Sequence, residues 1–178
     1  LGVSTTPVRE ALRRLSSEGL LDFGAFRTPQ VHQPTLGELE EVYDLRRLLE
    51  SYAMSKAVPI ISDEQLERAE EIHQQMVAEE DPTEWLILNA AFHSVLTECC
   101  NAPKLESFLE TLRASVALYV GLAIRQRPER RVESNAEHAA MIEACRTRDV
   151  ERALEATRRH MDPARDLAES VLTDDHAG

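Results

Sequence analysis

A succession of helix-start signals, one after another from residue 35 onward, limits what this chain can fold into. Thr35-Leu36-Gly37-Glu38 and Ser62-Asp63-Glu64-Gln65 each set a hydroxyl three residues before a Glu or Gln. In that reciprocal pattern, side chains satisfy the free N–H groups of a helix's first turn. Asp81-Pro82 joins a capping carboxylate to a residue whose fixed φ suits the first turn. Ser134-Asn135-Ala136-Glu137 repeats the box, and Asp149 caps a last segment. Apolar residues recur at helical spacing between these points. The pattern predicts helices from Thr35 to about Val58, from Ser62 to about Glu80, and from Asp81 through Trp85, Phe92 and Leu96. Others run over about 104–126, from Ser134 to near Arg148, and from Asp149 onward. Asn101-Ala102-Pro103 separates the third from the fourth, and Pro163 is expected to kink the last. Short connections between such helices imply an antiparallel bundle of six to seven helices, so the fold class is mainly α.

The first residues read differently. Ser4, Thr5 and Thr6 offer capping hydroxyls, Pro7 suits a first turn, and Val8, Ala11, Leu12 and Leu15 recur at helical spacing up to Gly19. Leu20-Leu21-Asp22-Phe23 and the segment from Arg27 to Val31 then flank Gly24-Ala25, a small β-hairpin with the glycine in its turn. A short helix followed by a hairpin reads as the C-terminal part of a winged helix-turn-helix, over residues 1–33. His32-Gln33-Pro34 links it to an all-helical domain over residues 34–178. Leu1-Gly2-Val3 resembles the turn leaving a helix, so a preceding segment is expected.

Charge divides the chain in the same place. The net charge is −12, yet the first 31 residues carry four arginines (9, 13, 14 and 27) against only Glu10, Glu18 and Asp22. Phosphate would repel the acidic remainder, which leaves the first segment as the DNA-facing surface. No stretch approaches the length of a membrane span, and no basic region followed by an apolar run opens the chain, so a cytoplasmic protein without a membrane partner is expected. Cys99, Cys100 and Cys145 are odd in number and lack C-x-x-C spacing, which supports neither a disulfide framework nor a thiolate zinc finger.

Spacing also gathers a set of candidate ligands. Asn89 and His93 stand four apart on the predicted third helix and share the face of Trp85, Phe92 and Leu96. His138 lies on the stripe of Ile142 and Cys145. His160 lies on the stripe of Val150, Ala153, Thr157, Ala164, Leu167 and Val171. A lone histidine on an apolar stripe is more often a hydrogen-bonded core residue than a ligand. Three from three helices, with an oxygen donor one turn before the first, favour a divalent metal, zinc or nickel, with coordination positions open to a ligand carboxylate. Arg46 stands in the middle of the stripe Leu39, Val42, Leu49 and Ala53, and a buried guanidinium needs an anion. An internal salt bridge to a bundle glutamate and a small carboxylate effector answer that need equally well. Arg47 and the arginines between 125 and 131 read as solvated, and no partner is evident for His32, His73 or His176.

The segment Leu1-Gly2-Val3-Ser4-Thr5-Thr6-Pro7-Val8-Arg9-Glu10-Ala11-Leu12-Arg13-Arg14-Leu15 resembles the recognition-helix region of the GntR family of bacterial regulators. The segment Glu41-Val42-Tyr43-Asp44-Leu45-Arg46-Arg47-Leu48-Leu49-Glu50 resembles the first helix of the FCD effector domain of its FadR subfamily. The likeness covers nearly the whole chain. It implies a homodimeric regulator that binds palindromic double-stranded operator DNA, with Ser4, Thr5, Thr6 and Arg9 toward DNA, Arg13 as a weaker contact and Gly24 at the wing tip. The position of Thr5 is commonly arginine in the family, so operator preference is expected to differ. The resemblance also implies a metal held by an aspartate and three histidines, with Asn89 standing at the aspartate's place, and it leans toward Arg46 as the carboxylate's partner. A metal-free regulator binding another anionic ligand, such as an acyl thioester, is the alternative. A metal-dependent helical enzyme lacks a glutamate placed as general base beside His93 and leaves the first segment without a use. A helical metal-storage bundle leaves Arg46 and the wing unexplained. The chain is therefore expected not to be an enzyme.

Overall fold

The computed structural model describes residues 5–17, 21–22, 28–33 and 35–175. Helix α1 spans Thr5–Ser17, and strands β1 (Leu21–Asp22) and β2 (Gln30–Val31) pair antiparallel, with Leu21 opposite Val31 and Asp22 opposite Gln30. The ladder is shorter than the hairpin expected: its second strand starts at Gln30 rather than Arg27, and Gly24 and its turn lie outside the described residues. Among the described residues seven α-helices follow the predicted order. Those of the bundle are α2 (Leu36–Ala57), α3 (Asp63–Ala78), α4 (Pro82–Thr97), α5 (Pro103–Gln126), α6 (Glu129–Arg146) and α7 (Val150–Asp175), with one 3-10 turn over Glu98–Cys100.

Most of the helix starts are the ones the sequence announces. Thr35 Oγ1 accepts from the Glu38 N–H at 3.2 Å while Glu38 Oε2 accepts from the Thr35 N–H at 2.7 Å, and Ser62 and Gln65 do the same at α3. Asp81 accepts from the N–H groups of Thr83 and Glu84, and Asp149 from that of Arg152. Asn101 ends the turn after α4 in the left-handed region at φ 47°, a conformation an asparagine tolerates well, before Pro103 opens α5. Helix α7 runs on through Pro163 to Asp175.

One predicted start is wrong. Ser134 does not cap a helix: α6 begins five residues earlier at Glu129, and Ser134 is buried inside it. A serine and a glutamate three apart also meet within a helix, and here Glu137 is turned away from any backbone N–H toward Arg130 and His160. Pro128 holds helical backbone at the true start, where no side chain caps it.

The bundle buries two adjoining cores. The larger gathers Met54, Ile61, Met76, Trp85, Phe92 and Leu96 with residues of α5, α6 and α7, and the smaller gathers Leu39, Tyr43, Val116 and Tyr119 with Ala168. Each large side chain buried this way contributes about 1.5–3 kcal/mol. Helix α7 packs along α2, α5 and α6, and α4 lies against α2, α3 and α5. His93, His138 and His160 therefore face one another where the two cores meet. Among the described residues, no single helix is long and apolar enough to cross a membrane.

Candidate metal centre and adjoining cavity

Helices α4, α6 and α7 each present one imidazole to the same point: His93, His138 and His160 are 5%, 0% and 6% exposed. One ring nitrogen from each lies within 4.8 Å of the other two. His138 Nε2 and His160 Nε2 stand 3.4 Å apart. Two nitrogens on a tetrahedral zinc ion at 2.0–2.1 Å are themselves about 3.4 Å apart, so this pair is spaced for a shared ion. Burial pushes the pKa of all three below the usual imidazole range, and for His93 and His138 the neighbouring imidazoles push it further. They are consequently neutral, the form in which imidazole binds metal.

Glu137 decides how His160 is oriented. Its Oε2 lies 2.8 Å from His160 Nδ1, and Arg130 donates to both its oxygens at 2.7 Å. A carboxylate there requires the proton on Nδ1, which leaves the Nε2 lone pair aimed at His138. His73, with no partner evident in the sequence, meets the backbone carbonyl of Asn135 through Nε2 at 2.8 Å and stands edge-on to His138. Trp85 stacks over His138 at 6.1 Å between ring centres, and its indole N–H donates to Asn135 Oδ1 at 3.1 Å.

Arg46 and Asn89 border two cavities, of which only the smaller is lined by a histidine. One, of about 260 Å³ between α4 and α5, also meets Ser94, Arg113 and apolar side chains such as Leu86 and Val116. A smaller one, of about 40 Å³, reaches Trp85, Arg130 and His160. Four buried polar atoms at this junction have no hydrogen-bond partner: Arg46 Nε, Asn89 Oδ1, His93 Nε2 and His138 Nδ1. Each such orphan costs about 1–3 kcal/mol, an expense that a bound ion and its ligand would remove at Arg46 Nε, Asn89 Oδ1 and His93 Nε2. The orphaned His93 Nε2 and the neutral imidazole set fit a divalent metal.

Arg46 is buried, as its place on the stripe predicts, and its Nη2 lies 3.7 Å from Glu50 Oε1. Glu50, however, belongs mainly to Arg113, which donates to it through Nε at 2.9 Å and Nη2 at 2.8 Å. Arg113 also reaches Ser94 Oγ and Glu106 Oε1 at 3.2 Å. Despite its burial, Glu50 is held ionised by that guanidinium, with Arg46 adding to the effect. The sequence reading missed Arg113, Glu50, Arg130 and Glu137. Arg113 carries the signal used for Arg46, a charge in an apolar stripe with Leu109 and Val116. The expectation that the arginines of 125–131 are solvated fails at Arg130, only 3% exposed, because Glu137 draws it inward. Arg47 is half-buried and bridges to Asp162 of α7 at 2.6 Å.

On α1, Thr6, Arg9 and Arg13 are exposed, and Arg13 pairs with Glu10 at 2.9 Å. Ser4, the Thr5 side chain, Gly24 and His176 lie outside the described residues. His32 ties the ladder to the bundle. Its Nδ1 meets Asp22 Oδ1 at 3.0 Å, its Nε2 lies 3.9 Å from Glu38 Oε1, and its carbonyl accepts from Tyr119 at 3.4 Å.

Comparison with known proteins gives a consistent picture. The FCD domain matches residues 41–163. The gluconate operon transcriptional repressor of Bacillus subtilis is 24% identical over 95% of this chain and 72% of its own length. The HTH-type transcriptional repressor RspR of Escherichia coli is 25% identical over 95% and 74%. Among solved structures, E. coli McbR/YncC superposes with a TM-score of 0.82 at 21% identity over 96% of this chain and 87% of that one. A GntR family regulator from Pseudomonas syringae pv. tomato does so at 0.72 with 24% identity over 99% and 74%. At these identities the structural likeness speaks for the fold.

Proposed function

Since the chain belongs to the FCD domain family and is a transcriptional regulator of the GntR type, we propose that its bundle senses a small carboxylate through a divalent metal at His93, His138 and His160. In this reading the occupied centre alters how a homodimer grips palindromic operator DNA. The convergence of three buried imidazoles from three helices, beside a cavity edged by orphaned polar atoms, carries the reading.

A zinc or nickel ion would supply a Lewis-acidic seat for a carboxylate oxygen. The chain's own residues do the rest. Glu137 keeps the His160 lone pair turned inward, and Arg46 offers an unused Nε–H to an anion. Arg113, locked on Glu50, forms a fixed wall, while Leu86, Val116 and Val120 exclude water. The cavity, of about 260 Å³, has room for a small organic acid. The relative named for a gluconate operon bears the name of such an acid.

The exposed face of α1, with Thr6 and Arg9, is the proposed DNA surface, joined by Ser4, Thr5 and Arg13, with the ladder as the wing and Gly24 at its tip. Hydroxyls at a helix N-terminus suit phosphate, and an arginine can read guanine in the major groove. Helix α2 links the two parts. Its N-terminus follows the linker held by His32, and Arg46 lies ten residues farther along, about 15 Å away on one rigid rod. A ligand that prefers one setting of Arg46 thereby prefers one setting of the DNA-binding heads.

The test is operator binding. Anisotropy of labelled DNA flanking the protein's own gene is titrated with metal-stripped and nickel-loaded protein, in the presence of individual small carboxylates. At least one acid should shift operator affinity by about fivefold or more, within the usual range of coupling, in the loaded protein alone. Identical curves for both forms with every acid contradict the proposal.

A further inference from the structure

The donor set around the three histidines is uncharged. His93, His138 and His160 are imidazoles, and Asn89, one turn before His93 with its Oδ1 buried and unpaired, is an amide. Three carboxylates nearby are already engaged, and a fourth, Glu110 on the cavity wall, is exposed to solvent, which screens its charge. Glu137 is held by Arg130 and His160, Glu50 by Arg113, and Glu106 by Ser94, Thr97 and Arg113. Arg46 and Arg113 together balance Glu50 and Glu106, so these four side chains leave no negative charge over for a cation. A divalent cation placed among side chains that are 0–6% exposed would therefore keep its full double charge, with an arginine for a neighbour. An uncompensated charge in so dry a place is strongly disfavoured.

We propose that metal and an anionic ligand occupy this centre as a mutually dependent pair, the ligand supplying the negative charge that Asn89 withholds, with a dianion favoured over a monoanion. This rests on the reading of the three histidines as a metal centre. Linkage makes the dependence reciprocal: whatever factor the anion adds to metal affinity, the metal adds to anion affinity. The cavity supplies the place for the anion, since Arg46 and Asn89 border it, and Asn89 Oδ1 and Arg46 Nε have no partner. A regulator so built responds only when metal and metabolite are present together, and Asn89 is the residue that sets this behaviour.

The protein carries its own reporter, because Trp85 is the only tryptophan and stacks on His138 at 6.1 Å. Nickel is titrated into the whole chain in chloride buffer, then with millimolar acetate, then with millimolar succinate, at matched free nickel, while Trp85 fluorescence is followed. Succinate should lower the apparent nickel Kd about tenfold or more, and acetate less. Asn89→Asp should bind nickel about tenfold tighter in chloride alone and lose most of the succinate gain. Arg46→Gln keeps the question decidable should Asn89→Asp not fold: its nickel affinity in chloride should not fall, while its succinate gain shrinks. Equal nickel affinity of the wild type in all three buffers overturns the dependence but leaves a metal centre standing. So does an undiminished succinate gain in both variants. No uptake of nickel in any buffer, checked by calorimetry, overturns the metal reading and this inference together.

Discussion

Arg113→Ala offers the sharpest energetic test of the cavity wall. Glu50 and Arg113 have side chains only 5% and 8% exposed, and two short donor contacts of 2.9 and 2.8 Å join them. Hydrogen bonds to charged groups contribute about 1.5–3 kcal/mol each, and breaking a buried ion pair from one side costs about 3–5 kcal/mol. Arg46 cannot take over without moving, because its nearest nitrogen is 3.7 Å from Glu50, beyond a hydrogen bond. Loss of about 3–5 kcal/mol is thus expected from Arg113→Ala, which for a chain of 178 residues lowers Tm by about 6–20 °C. Urea unfolding at neutral pH followed by circular dichroism measures it. If Arg113→Ala unfolds within about 1 kcal/mol of the wild type, the pair is not the buried, desolvated unit described here.

Three further outcomes are expected. The metal-free protein should be acid-labile: the folded chain holds His93, His138 and His160 neutral, the unfolded chain protonates them near pH 6.5, and unfolding takes up the difference. Stability is then level above about pH 7 and falls below about pH 6.5 by about 1.4 kcal/mol per pH unit for each imidazole still neutral, and a flat urea midpoint between pH 7.5 and 5.5 contradicts it. His32→Ala removes the contact between Asp22 and the first turn of α2, so limited proteolysis should cut the linker around residue 33 faster while bundle stability changes little; unchanged cleavage counts against His32 as the tie. Arg9→Ala should weaken operator binding about tenfold, blur the choice between operator variants and reduce the salt slope by about one. An unchanged slope places Arg9 away from DNA.

The helical class and most helix starts were legible because capping is a local signal: Thr35, Ser62, Asp81 and Asp149 do in the structure what their sequence neighbours announce. The histidines were legible because each sits on an apolar stripe, and a bundle of stripes has one interior. What surrounds them was not, since Glu137 and Arg130 act through partners far along the chain. A Ser-x-x-Glu spacing looks the same whether the glutamate caps a backbone or orients His160. Of the two readings of Arg46, the structure shows the internal one, a glutamate four residues on that is shared with Arg113, and leaves the Nε–H without a partner at the edge of a cavity. Only the packing of α5 on α2, which brings Arg113 to Glu50, reveals why Glu50 is not free to satisfy Arg46 completely.

Crystals grown with nickel and succinate, measured at the nickel absorption edge, test the centre most directly. An anomalous peak is expected at about 2.0–2.1 Å from one ring nitrogen of each of His93, His138 and His160, with a carboxylate filling a remaining position toward Arg46. Density showing the three imidazoles bonded only to one another or to water, with nickel absent or bound elsewhere on the chain, contradicts it.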